Sequence, residues 1–282
     1  MTMRLGIFAK TFARPSVEDA FDAVRAHGLA ATQFNLSVAG LPSMPDSIPA
    51  ELADRVRAAA RARDLDIAAV SGTFNMAHPD RHERARGLRR LDVLAGACGA
   101  LGTGVVTLCT GTRDRDDMWR RHADNTTTDA WRDMRDTIVA AIAIAERHDV
   151  VLAIEPEVGN VVHSPAAARR LLDDIESARL RVVIDAANLF DAEDTSRRIA
   201  NSEEVLTEAF DLLAGDIVLA HAKDVTAEGS FAAAGRGDVD WERYLTLLDA
   251  SGYTGALVMH GLDEADVAGS TTFLAEHLNA RA

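Results

Sequence analysis

Short apolar runs alternate with longer amphipathic stretches along the whole chain. Eight of the runs read as β-strands: Arg4–Ala9, Ala31–Asn35, Ile67–Gly72, Gly104–Cys109, Val150–Glu155, Arg181–Asp185, Ile217–His221 and Ala256–His260. Helical periodicity fills the intervals between them and follows the last. Its clearest stretch runs from Asp129 to His148, where Trp131, Met134, Ile138, Ile142 and Ala145 recur at three- and four-residue spacing. Another carries Leu88, Leu91, Leu94 and Cys98. A third carries Trp241, Tyr244, Leu245 and Leu248, with Asp238 or Asp240 as its N-cap. Strand followed by helix, eight times over 282 residues, predicts an α/β protein with a single domain over 1–282, folded as a (β/α)8 TIM barrel. An open doubly wound sheet would want a Gly-rich phosphate turn after the first strand. That turn here contains AKTFARPS and no GxGxxG. The longest irregular stretches, near 36–48, 110–126 and 225–237, are predicted to be strand-to-helix loops on the functional side.

Four strands close on a polar residue. Glu155 ends VVLAIE, Asp185 ends RVVID, His221 ends IVLAH and His260 ends ALVMH. In a closed parallel barrel all C-terminal strand ends open onto one face, where active sites sit. The residues two positions earlier (Ala153, Val183, Leu219 and Val258) share the side of the strand taken by the polar end. The four polar groups therefore extend inward-facing rows and can converge above the barrel. Two carboxylates and two imidazoles meeting at one point make a transition-metal site, with manganese, cobalt, iron or zinc favoured over magnesium or calcium.

Charge narrows the partners. The formal net charge is −14, which disfavours phosphate backbones and anionic lipid, so neither nucleic acid nor membrane is expected to bind. The basic stretch Arg81–Arg90 is interrupted by acidic residues and reads as one solvated helix face. Two cysteines, Cys98 and Cys109, make no disulfide framework and no zinc ribbon. MTMRLGIFAK lacks a signal pattern and no apolar run approaches about 18 residues, so a cytoplasmic location is expected.

The motifs AIEPEVGN, VVIDAAN, LAHAKDV and GRGDVDW, in that order, resemble the xylose isomerase-like barrel superfamily of sugar isomerases and epimerases, which also includes endonuclease IV. In ketose 3-epimerases of that group one divalent metal is held by Glu, Asp, His and Glu from strands five to eight. The resemblance places the first three on Glu155, Asp185 and His221. The fourth falls on His260, where those relatives carry a glutamate that serves as the second proton carrier. The histidine found three residues after the aspartate in epimerases and in endonuclease IV is Asn188 here. A multi-metal phosphodiesterase site is therefore incomplete.

Other strand ends supply hydrogen-bonding groups suited to a polyol or keto-sugar: Lys10, Asn35, Asn75, His78, Thr110, Asn160, Asn188, Lys223, Asp224 and Arg236. Asp224 could instead orient His221 or Lys223. Glu157 is the rival of Glu155 within Glu-Pro-Glu. His163 reads as helix-entry scaffolding, and His27, His82, His122, His148 and His277 as solvated. No concentrated Arg/Lys clamp is present, which favours an unphosphorylated substrate. The expected chemistry is proton transfer next to a carbonyl through an enediolate, with Glu155 as base. His260 is expected to be a ligand, a proton donor or a substrate contact. The alternatives are a metal-dependent lyase acting on an oxidised sugar and a non-catalytic sugar-binding barrel. A homo-oligomer would be ordinary.

Overall fold

Every apolar run becomes a strand. The computed structural model describes residues 3–190 and 199–281. Its barrel strands are β1 Arg4–Phe8, β2 Ala31–Phe34, β3 Asp66–Ser71, β4 Val105–Cys109, β5 Val151–Glu155, β6 Leu180–Asp185, β7 Ile217–Ala222 and β8 Ala256–Met259. Consecutive strands pair in parallel, and β8 pairs with β1 to close the cylinder. The barrel sheet therefore has no open edge. Among the described residues eight helices follow: α1 Val17–Ala26, α2 Ala50–Arg61, α3 Arg81–Leu101, α4 Thr128–His148, α5 Pro165–Ile175, α6 Ser202–Leu213, α7 Trp241–Ala250 and α8 Glu264–Asn279.

Local chemistry sets these boundaries. The Thr127 hydroxyl accepts from the Ala130 N–H at 3.2 Å and opens α4, whose Met134, Ile138, Ala141 and Ala145 are buried. Asp149 ends that helix in the left-handed region. Of the two candidate caps for α7, Asp240 is the one used, accepting from the Arg243 N–H at 2.9 Å. That cap and the buried Trp241, Leu245 and Leu248 seat α7 against the barrel. Tyr244 is carried along, and its hydroxyl lies 3.1 Å from the carbonyl oxygens of both Ile184 and His221. It therefore ties the tops of β6 and β7 together where Asp185 and His221 sit.

Apolar packing divides in two. A large cluster fills the space between strands and helices. A second, smaller one fills the barrel: Ala31, Ala69, Ala153, Val183, Leu219, Ala256 and Val258, with Phe8 packed on it. Small side chains dominate because an eight-stranded barrel has room only for side chains that interdigitate. Ala153, Val183, Leu219 and Val258 all belong to this inner cluster, so the row that leads to the four polar strand ends does face inward.

Three arginines of the surface basic stretch are paired, Arg84 with Asp133 at 3.4 Å, Arg90 with Asp46 at 2.7 Å and Arg86 with Glu83. Both cysteines are buried and free. No helix among the described residues is long and apolar enough to cross a membrane. The helical histidines are less solvated than expected. His148 Nε2 lies 2.6 Å from Asp92, while His27 and His277 turn Nδ1 onto carbonyls four residues earlier. In each case a neighbouring acceptor outcompetes water.

Candidate metal centre

Glu155, Asp185 and His221 stand at the tops of β5, β6 and β7, and His260 is the first residue beyond β8. Asp185 lies opposite His221 in the strand register. One ligand atom from each of the four lies within 4.8 Å of all the others. Phe8 packs a face parallel to His260, with ring centroids 4.9 Å apart, and presents an edge to His221 at 5.3 Å. The barrel thus closes the cluster from below with apolar surface.

A hydrogen-bond chain fixes how each group points. Gln33 donates through Nε2 to the hydroxyls of Ser71 and Thr107, both at 2.9 Å, which turns its Oε1 toward His221 Nε2 at 2.9 Å. An amide oxygen can only accept, so Nε2 of His221 carries the proton and Nδ1 keeps its lone pair. That Nδ1 faces Glu155 Oε1 at 3.2 Å. Asn188 donates to the same Glu155 oxygen at 2.9 Å and accepts from Lys223 at 2.8 Å. Lys223 also lies 3.3 Å from Asp185 Oδ2, the oxygen that His260 Nε2 approaches at 2.7 Å. The other Asp185 oxygen accepts from the Ala187 N–H at 2.9 Å.

Burial then sorts the charges. Burial, reinforced by the nearby Asp185 carboxylate, pushes Glu155 up to about 7. Burial and the Glu155 charge push Glu157 up to about 8. Burial also opposes ionisation of Asp185, but Lys223 and His260 outweigh it and hold that carboxyl well below its ordinary range. Burial lowers His221 to about 4, and burial together with His221 lowers His260. Burial works against the Lys223 charge too, yet Asp185, Glu157 and Glu155 raise it. Near neutrality the centre holds an Asp–Lys ion pair, two neutral imidazoles and a carboxyl balanced between its two states.

These groups fit a divalent metal. Neutral imidazole and ionised carboxylate are the forms that coordinate. Around an ion bonded at about 2.1 Å, ligand atoms sit roughly 3–4 Å apart, so the observed cluster needs only slight contraction. Gln33 holding His221, and Asn188 holding Glu155, are the outer partners that orient metal ligands elsewhere.

Around this centre the expected substrate groups divide. Asn188 and Lys223 belong to it, and Lys10 and Arg236 line the adjoining cavity with His260. The other six are drawn into loop construction. Asn35 Oδ1 accepts from the Ser37 N–H at 3.0 Å and caps a short turn. Asn75 accepts from the N–H groups of Ala77 and Thr112, and Gly111 must be glycine there, since a Cβ would lie 2.1 Å from Asn75 Oδ1. His78 Nε2 lies 3.2 Å from the Arg115 carbonyl, and Nδ1 accepts from the Asp80 N–H. Asn160 accepts from the Gly111 N–H at 2.7 Å and donates to the Met118 carbonyl. Asp224 is fully buried, and its carboxylate is taken up by groups other than His221 and Lys223. It accepts from the backbone of Val225, Gly235 and Val239 and from Trp241 Nε1 at 2.9–3.1 Å. Long strand-to-helix loops leave many backbone donors without sheet or helix partners, and these polar side chains satisfy them. Thr110 likewise accepts from the Val162 N–H at 3.0 Å, and His163 stays with its own loop.

Sequence reasoning missed Gln33 and Phe8. A signal for Gln33 existed: it is the lone amide inside an apolar strand and shares the inward phase of Ala31.

Comparison with known proteins agrees with this architecture. The family model for xylose isomerase-like TIM barrels matches residues 21–276. A solved D-tagatose 3-epimerase-like protein superposes with a TM-score of 0.77 at 16% identity, covering 99% of this chain and 98% of that one. An L-ribulose 3-epimerase gives 0.74 at 17% identity, covering 99% and 95%. A 3-keto-D-glucoside 4-epimerase from E. coli gives 0.73 at 16%, covering 97% and 99%. Identities this low speak for the fold alone. No protein of curated function matches the chain by sequence. With the family model spanning strands β2 to β8, the chain belongs to the xylose isomerase-like TIM barrel family.

Proposed function

We propose that the protein is a divalent-metal-dependent isomerase or epimerase of a small sugar or keto-sugar, with Glu155 as its base. The observation that carries this reading is the convergence of Glu155, Asp185, His221 and His260 at the C-terminal mouth of the barrel. Fold relatives that act as sugar epimerases support it. A divalent cation held by these four residues would supply Lewis-acid stabilisation to negative charge developing on a substrate carbonyl and its neighbouring hydroxyl. Glu155, poised near neutrality, removes the proton from the carbon between those groups. Asn188 keeps the carboxylate aimed through its bond to Oε1, and the buried Lys223 charge favours the anionic state of the reacting system. Phe8 covers one face of the His260 ring. Return of the proton to the adjacent carbon gives isomerisation, and return to the opposite face gives epimerisation. The direct test is incorporation of solvent deuterium next to the carbonyl of candidate ketoses. Turnover without any exchange would require a shielded proton or a hydride shift instead.

Elemental analysis is expected to find one divalent metal per chain, with manganese, cobalt, iron or zinc preferred for their affinity for nitrogen. Metal uptake must displace the proton that Glu155 holds below about 7, whereas His221, lowered to about 4, is already neutral. Affinity should therefore fall roughly tenfold per pH unit below neutrality and level off above it. Chelator competition at pH 6 and pH 8 reads this out, and a flat response would contradict the charge assignment. Gln33→Leu keeps the volume but frees the His221 tautomer, so metal affinity should drop roughly 10–100-fold. The same competition assay checks it.

A further inference from the structure

In a chain of net charge −14, two cations without carboxylate partners line one cavity beside the metal centre. The cavity, about 760 Å³, is walled by Lys10, Phe231, Arg236, His260, Asp263 and Asp266 among others. Other arginines are paired with carboxylates, as Arg14 with Glu264, Arg55 with Glu18 and Arg63 with Asp22. Among the described residues, neither Lys10 nor Arg236 has a carboxylate oxygen within 4.0 Å, although Asp263 and Asp266 line the same cavity. Lys10 lies 5.3 Å from the Phe8 ring. Arg236 is presented on a built loop: the Arg236 N–H reaches the Ala233 carbonyl, and buried Asp224 holds the N–H groups of Gly235 and Val239 on either side. Gly235, at φ +81°, lets this loop cross Phe273, where a Cβ would lie 2.7 Å from the ring. Such anchoring keeps the guanidinium at the cavity without ordering the loop anew for each ligand.

We propose that this cavity is a subsite for a carboxylate on the substrate, which makes the substrate a sugar acid rather than a neutral sugar. The inference rests on the isomerase reading of the adjoining centre and narrows its substrate. A carboxylate suits the planar fork of Arg236 and a single lysine. Asp263 and Asp266 on the same wall repel an anion in proportion to its charge, so they disfavour a dianionic phosphate more than a single carboxylate. The exposed ring of Phe231, with Lys223 Nζ 3.9 Å from its centroid, offers the carbon face of the same molecule an apolar wall.

Calorimetric titration of the protein equilibrated with manganese tests this, with D-glucuronate and D-galacturonate set against D-glucose, D-galactose and D-glucose 6-phosphate. Each uronate is expected to bind about tenfold or more tighter than its neutral partner, and the phosphate more weakly than glucuronate. Lys10→Gln and Arg236→Gln should each erode the preference and the double variant abolish it, with metal content and melting temperature unchanged because both side chains are exposed. Equal binding of neutral sugars, absence of uronate binding, tighter binding of the phosphate, or a preference that survives the double variant would each overturn the proposal. Metal content measured on the same samples separates the two readings. A protein that selects uronates through Lys10 and Arg236 but takes up no metal keeps this inference and loses the metal-dependent reading.

Discussion

Glu155→Gln is expected to cut turnover by roughly 10²–10⁴-fold, the range that general-base catalysis supplies, while the barrel stays folded. The amide keeps the shape of the side chain and can still meet Asn188, but it cannot accept the substrate proton. Solvent deuterium exchange should vanish with turnover. The stability of the metal-free protein provides an independent readout. Folding raises the Glu155 pKa from 4.5 to about 7, so the folded state holds this proton more tightly than the unfolded chain does. Its contribution is fully present below pH 4.5 and is lost as pH rises through about 7. Above neutrality the buried charge costs the wild type about 3 kcal/mol, at about 1.4 kcal/mol for each tenfold change in proton affinity. Glu155→Gln should escape that penalty and be at least as stable as the wild type at pH 8. Urea unfolding at pH 5 and pH 8 measures it. A variant that is less stable at pH 8 and still turns over would show Glu155 to be structural.

The barrel is legible in the sequence because its strands are short and apolar and its helices strongly periodic. Each strand end falls within one residue of its expected place. The four ligand candidates are legible for the same reason, since period-two alternation fixes the side of every strand residue once one side is known to be the core. Loop polar groups are not. Asn35, Asn75, His78, Asn160 and Asp224 look like substrate groups when only residue type and position after a strand are available. Whether an amide meets ligand or backbone depends on the path of the loop, and no local pattern encodes that path. Gln33 escapes notice for the opposite reason. It lies inside a strand, two positions before the more conspicuous polar residue at the strand's end. Lys223 and Asn188 read as substrate groups by their place after a strand, and the structure instead joins them to Asp185 and Glu155.

His260→Ala is expected to weaken metal binding by more than about a hundredfold, beyond the 10–100-fold typical of an outer partner. The motif resemblance sets His260 against the second glutamate of ketose 3-epimerases, so on the proposed reading its role decides the reaction. Its Nε2 stands 2.7 Å from Asp185 Oδ2, inside the ligand cluster, and burial and His221 keep the ring neutral. Phe8 stacked on the ring limits its rotation away from that position. A ligating imidazole has its lone pair engaged and cannot also act as a base. Proton transfer then falls to Glu155 on one face of the substrate, which favours isomerisation, or elimination beside a ketone, over two-base inversion. Replacing the imidazole with methyl should release metal while leaving Glu155, Asp185 and His221 in place. Chelator competition measures the affinity and single-turnover product analysis the stereochemical course. Unchanged metal affinity with loss of turnover alone would refute ligation and leave His260 as the proton donor to a carbonyl or leaving oxygen, the outcome that would move the proposed activity toward lyase chemistry.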